Sequence, residues 1–286
     1  MTAPSAPGGA RDPGGRSGPG SSSGADAFDD GGEPSGPPPS SLPPWPYPRW
    51  IAHRGAGRLA PENTLAAFAL GHALGYRMFE CDVRLSADGQ AFLLHDDTLE
   101  RTTDGKGAAL ARTWAELARV DAGAWHSPPY AGARLPRLDE VLDFCARHDC
   151  ALNLELKPAP GDARRTGATV AAEVAEGARH AAAAPLPVLS SFDVEALEAA
   201  ATVAPALPRA LLLEGFSPGW LETAQRLGCV AVVGEQSAWT PETAAVAARA
   251  GLRRLAYTVN DEAQASRLLA LGLDGLITDR VDHFRP

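Results

Sequence analysis

Residues 78–95 read MFECDVRLSADGQAFLLH, and the parsing of this stretch decides the fold. Two apolar runs, Met78–Val83 and Ala91–Leu94, flank Ser86-Ala87-Asp88-Gly89. Asp-Gly between such runs is a strong hairpin signal. A parallel neighbour would need a crossover of about a dozen residues or more. The second run is therefore an antiparallel extension of the first and not a parallel strand of its own. Seven further runs of the same texture are Trp50–His53, Ala151–Leu156, Val188–Ser191, Ala210–Leu213, Val230–Val233, Leu255–Val259 and Gly275–Thr278. Amphipathic stretches of helical length lie between most of the runs, at 61–74, 137–148, 166–183, 193–203, 218–227, 240–250 and 261–271. Nearly all-apolar strands separated by helices specify a parallel sheet covered on its outer face. Eight such strands predict an α/β fold, a (β/α)8 TIM barrel with a small insertion after the second strand, at about 96–136.

Composition sets the remaining bounds. The chain has 286 residues and a formal net charge of −9. Positions 1–48 are dominated by Gly, Pro and Ser, and such a segment buries too little apolar surface to offset its ordering entropy. It is expected to be a disordered tail, with the barrel domain at 49–286. Its Pro37–Pro48 end could also serve as a polyproline-type ligand. No apolar run approaches the roughly 18–20 residues of a membrane helix, so no integral membrane association is expected. The acidic balance without a Lys/Arg block argues against a nucleic-acid partner. The four cysteines, without zinc spacing, and the lack of a secretory leader pattern predict reduced thiols in the cytoplasm. Oligomeric state is not legible.

Catalytic side chains of such barrels gather at the C-terminal ends of the strands. Here those ends carry His53-Arg54-Gly55, Glu80-Cys81-Asp82, Asn153 to Lys157, Ser190-Ser191 and Tyr257 to Asn260. Glu80 and Asp82 are two apart on a strand and share a face, while Cys81 points away. Glu80, Asp82 and Glu155, with waters, make an oxygen-only donor set for one hard divalent cation, Mg²⁺ or Ca²⁺. The competing reading pairs these acids with Arg54, Arg84 and Lys157 and needs no metal. The hairpin locates a second histidine. A two-residue turn at Asp88-Gly89 sets His95 opposite Asp82, and a four-residue loop sets it opposite Glu80; both keep His95 on the acidic face. His53 and His95 then suit general acid–base catalysis, with Arg54 and Lys157 as donors to an anionic tetrahedral group. The set fits hydrolysis of a phosphodiester. Of the other histidines, His126 lies in the insertion and either lines the mouth or faces solvent.

His53-Arg54-Gly55, Pro61-Glu62-Asn63-Thr64, Glu80-x-Asp82-Val83, His95-Asp96, Arg101-Thr102-Thr103, Asn153-x-Glu155-x-Lys157, Ser191-Phe192, Thr258-Val259-Asn260 and Asp274-Gly275-x-Ile277-Thr278-Asp279 occur in that order over about 51–282. This succession resembles the glycerophosphodiester phosphodiesterases. The resemblance implies hydrolysis of a small glycerophosphodiester to sn-glycerol 3-phosphate and an alcohol. It also implies a metal at Glu80, Asp82 and Glu155, an acid–base pair at His53 and His95, and phosphate contacts from Arg54 and Lys157. Glu62 and Asn63, placed at the start of the first helix, would shape the site, with Glu62 toward substrate or metal. Tyr257 stands where the family commonly has Trp, which alters the contact offered to glycerol. Two alternatives are a lyase-type phospholipase relative that releases a cyclic phosphate and a non-catalytic phosphodiester-binding barrel.

Overall fold

The computed structural model describes residues 45–180 and 185–286, so the expected tail lies outside the described residues except for 45–48. Chain order is β1 (Trp50–Ala52), α1 (Leu65–Ala73), β2 (Met78–Leu85), β3 (Ala91–Leu93), α2 (Trp114–Leu117), α3 (Leu138–Arg147) and β4 (Ala151–Leu156). It continues with α4 (Ala163–His180), β5 (Val188–Ser191), α5 (Val194–Val203), β6 (Arg209–Leu213), α6 (Trp220–Arg226) and β7 (Ala231–Glu235). The last elements are α7 (Pro241–Arg249), β8 (Arg253–Tyr257), α8 (Glu262–Ala270) and β9 (Gly275–Thr278). Eight parallel strands form a closed (β/α)8 barrel, sealed by β1 between β9 (Ile51↔Ile277) and β2 (Ala52↔Phe79).

Strand β2 is the long one, and β3 pairs with the part that overhangs β1. All eight residues of β2 are buried, because its two faces meet different cores. Inward-pointing Met78 joins a cluster inside the barrel with Ile51, Ala151, Val188, Ala210 and Leu255. Outward-pointing Phe79, Cys81 and Val83 pack into the larger core beneath the helices. Trp45 and Tyr47 pack against the inner cluster, and Tyr47 Oη donates to the Leu186 carbonyl at 2.7 Å.

The hairpin follows neither expected register. Its pairs are Leu85↔Ala91, Arg84↔Phe92 and Val83↔Leu93, and Ser86 N donates to Gln90 O at 2.9 Å, which leaves a three-residue loop at 87–89. Gly89 sits at φ 88, the left-handed position that closes such a loop with a bulge. Continued strictly, this register would turn His95 onto the Cys81 face, away from the acids. Regular pairing stops first: Leu94 N donates to Asp82 O at 3.1 Å, and the chain then bends out of the sheet.

The stretch after β3 is ordered around its own small core of Phe92, Leu94, Leu99, Ala109, Leu117, Ala122 and Leu135. It is tied to the β1–α1 loop by His126, whose Nε2 lies 3.0 Å from the Arg58 carbonyl oxygen. The first helix starts later than expected. Asn63 adopts φ 57 and Thr64 is the N-cap, its hydroxyl accepting from Ala67 N, so Glu62 and Asn63 lie in the preceding turn. Among the described residues, no helix is long and apolar enough to cross a membrane.

Candidate active site

The strand ends deliver the acids as the alternation requires. Glu80 and Asp82 project inward from β2, and Glu155 projects inward from β4, paired in register with Asp82. One oxygen from each lies within 4.8 Å of the others, the only such acidic cluster among the described residues. Asp82 is 1% and Glu80 4% exposed. Burial is costly for charge, so the three carboxyls do not ionise alike. Burial and then the charge of Asp82 push both Glu80 and Glu155 above the ordinary carboxylate range. Asp82 goes the other way: burial opposes its charge, but Arg54, His95 and Lys157 outweigh it, and Asn63 Nδ2 donates to it at 2.8 Å.

Two cations stand beside the acids. Lys157 Nζ is 3.0 Å from Glu155 and 3.7 Å from Asp82, and Arg54 Nε is 3.4 Å from Asp82. Arg84 does not neutralise them. Its guanidinium pairs with Asp97 at 2.7 Å and donates to the Leu94 and His95 carbonyls, so the metal-free pairing reading loses one of its three cations. Glu80 has only His53 Nε2 at 3.6 Å and the Arg54 amide at 3.3 Å. The all-oxygen donors, their proximity and this incomplete neutralisation fit a hard divalent ion.

Each imidazole is backed by a carboxylate. His53 follows β1, and its Nδ1 lies 2.6 Å from Asp279 Oδ1 just beyond β9, the barrel neighbour of β1. Asn260 Nδ2 in turn donates to Asp279 Oδ2 at 2.8 Å. His95 Nδ1 lies 2.7 Å from Asp96 Oδ1. An ionised carboxylate can only accept, so both Nδ1 atoms carry the proton and both Nε2 atoms are left for chemistry. For His53, burial opposes the charged form, but the Asp279 bond and the Glu80 charge prevail and its pKa is raised. For His95, burial lowers the pKa, and Arg54 and Lys157 add to that against Asp82 and Asp96.

Glu62 is fully engaged by arginines: its carboxylate takes Arg54 at 2.8 Å and a two-pronged contact from Arg101 at 2.8 Å. It therefore aims Arg54 and lies outside the acidic cluster. Arg101 also grips Asp96, so one side chain from the insertion links both halves of the site. Tyr257 ends β8 beside Phe192, ring centroids 6.0 Å apart, and its hydroxyl donates to the Leu213 carbonyl at 3.3 Å. The structure thus gathers His53, His95, Arg54, Lys157, Glu62, Tyr257 and the three acids at one end of the barrel. The sequence reading assigned no role to Asp96, Asp279, Asn260 or Arg101. Adjacency of the first and last strands in any closed barrel was the available signal for Asp279 opposite His53.

Backbone shape matters where β1 turns. Arg54 adopts φ 52, a left-handed conformation disfavoured for a residue with a side chain. Gly57 is obligatory: an added Cβ would lie 2.1 Å from the Asp279 carbonyl oxygen.

Residues 53–283 match the model of the glycerophosphoryl diester phosphodiesterase family. A glycerophosphodiester phosphodiesterase of Caldanaerobacter subterraneus subsp. tengcongensis is 30% identical over 234 residues, covering 80% of this chain and 93% of that protein. An Oleispira antarctica phosphodiesterase, solved in complex with the product sn-glycerol-3-phosphate, superposes with a TM-score of 0.75 at 35% identity, over 82% of this chain and 93% of that one. The glycerophosphodiester phosphodiesterase of Agrobacterium tumefaciens superposes with a TM-score of 0.68 at 28% identity, over 82% and 97%. With a closed barrel, its acids gathered at one end and a family match spanning the barrel domain, the chain belongs to the glycerophosphoryl diester phosphodiesterase family and is a phosphodiester hydrolase.

Proposed function

We propose that this enzyme hydrolyses small glycerophosphodiesters to sn-glycerol 3-phosphate and an alcohol, with one divalent cation and two histidines of opposite role. The observation that carries the reading is the buried Glu80–Asp82–Glu155 cluster set between the His53–Asp279 and His95–Asp96 pairs. Glu80, Asp82 and Glu155 would hold Mg²⁺ or Ca²⁺, which supplies Lewis-acid charge compensation for a phosphoryl oxygen. Arg54 and Lys157 bind the phosphate oxygens, and the Glu62 carboxylate fixes the Arg54 fork. Tyr257, its hydroxyl already donating to Leu213, presents a ring face to the substrate.

Environments that push two titratable groups apart mark an acid and a base. His95, whose surroundings favour the neutral ring, takes the proton of the attacking water at Nε2. His53, whose surroundings favour the charged ring, gives a proton to the departing alcohol oxygen as the P–O bond breaks. The product-bound Oleispira antarctica relative supports the glycerol phosphate end of the reaction. Turnover of glycerophosphocholine, -ethanolamine, -glycerol and -inositol, with EDTA and metal add-back in ¹⁸O-water, tests this reading. We expect EDTA-sensitive release of singly labelled glycerol phosphate. An unlabelled cyclic phosphodiester would instead establish the lyase reaction, and absence of turnover on every substrate would favour a binding protein.

A further inference from the structure

Asn153 points inward from β4, two residues before Glu155 and in register with Glu80, and Ser190 points inward from β5, in register with Glu155. They are 1% and 0% exposed. Asn153 Nδ2, Asn153 Oδ1 and Ser190 Oγ all lack a hydrogen-bond partner among the described residues. Buried polar atoms in proteins are nearly always satisfied, so three together in one place identify a binding position. They line a small cavity with Glu80, Glu155, Leu212, Tyr257 and Ile277, of which about 30 Å³ is reachable by the centre of a water molecule. That is room for roughly one or two waters. The neighbouring carboxylates repel an anion, a bare cation would leave Asn153 Nδ2 without an acceptor, and an apolar group would strand all three atoms.

We propose that Asn153 and Ser190 form a seat for a single hydroxyl-sized group beside Glu80 and Glu155, able both to donate and to accept. The occupant is a water that completes the cation's surroundings, or one hydroxyl of the substrate's glycerol, the second source resting on the function proposed above. Ser190→Ala and Asn153→Leu distinguish these sources, with folding verified by circular dichroism and melting temperature. Mg²⁺ and Ca²⁺ affinities are measured by calorimetry on substrate-free protein. In parallel, kcat/KM is compared for glycerophosphocholine and two diesters each lacking one glycerol hydroxyl, the propane-1,2-diol and propane-1,3-diol analogues.

A seat for water predicts metal binding weakened by about tenfold in each variant, with discrimination between substrates unchanged. A seat for glycerol predicts unchanged metal binding. The wild type would then prefer the full substrate over one analogue by at least about tenfold, and Ser190→Ala would erase that preference. Unchanged metal affinity together with unchanged discrimination in Ser190→Ala overturns the seat, whether or not Asn153→Leu folds. A wild type that binds metal but hydrolyses none of these diesters refutes the proposed function, and the metal titration alone then decides the seat.

Discussion

At the scale of single residues, the site is a problem of protons. The Asp279 bond favours the charged form of His53, while Asp279 itself, against the effect of burial, is brought down to about 2. If His53 is the acid, activity falls as pH rises through its raised pKa; if His95 is the base, activity falls as pH drops through its lowered one. The kcat/KM profile is expected to be a bell spanning the ordinary histidine value of about 6.5. Asp279→Asn should move the alkaline limb to lower pH, and Asp96→Asn should move the acid limb to lower pH. His53→Ala and His95→Ala should each cost about 10²–10⁴-fold in kcat with the melting temperature kept; unchanged turnover in either removes that residue from the mechanism. The acids make a second titration. Because Glu80 and Glu155 are raised, the folded metal-free protein keeps protons that the unfolded chain has lost above about pH 4.3. Stability in EDTA should therefore decline as pH rises from about 5 to about 8, and saturating divalent cation should flatten the decline. Thermal melts across that range check this, and an equal slope with and without cation would place the metal elsewhere.

At the scale of elements, two connections do the positioning. The β1–α1 loop combines left-handed Arg54 and Asn63 with a glycine pressed against Asp279. Gly57→Ala should push Asp279 away from His53 and lower kcat by about tenfold or more; the pH profile should shift as it does in Asp279→Asn. The other connection is the insertion, whose small core delivers Arg101 to Glu62 and Asp96. Arg101→Lys keeps the charge but loses the fork, so it should reduce kcat/KM by about 10–100-fold with little change in melting temperature. Leu117→Ala, in the middle of that core, should cost about 2–5 kcal/mol of local stability, read as faster amide exchange across 96–136.

At the scale of the whole molecule, the barrel separates chemistry from stability along its axis. The acids and imidazoles crown the C-terminal ends of the strands. Trp45 and Tyr47 pack against the inner apolar cluster from the opposite end, with Arg253 over the Trp45 ring at 5.8 Å. Trp45→Ala should lower stability by about 1–3 kcal/mol, a few degrees in melting temperature, while leaving KM and metal affinity intact. A change in KM would mean that the two ends are coupled through the inner cluster.

Hydrophobic patterning determined the eight parallel strands and the shared face of Glu80 and Asp82, and the short Asp88-Gly89 connection made β3 antiparallel, because alternation along a strand and the length of a turn are local properties. It also set the acids, His53, Arg54 and Lys157 at one end of the barrel, since the end of a strand is read directly from where its apolar run stops. It could not determine what each charge touches. The His95 position followed from a bulged three-residue loop and the Arg84 grip on the backbone, and not from a continued register. Arg84 left the acids for Asp97, Glu62 was taken up by two arginines, and Asp279 reached His53 across 226 residues of chain. Partner choice among buried ions depends on Coulomb energies that vary steeply with distance and burial, and only the closed barrel fixes those.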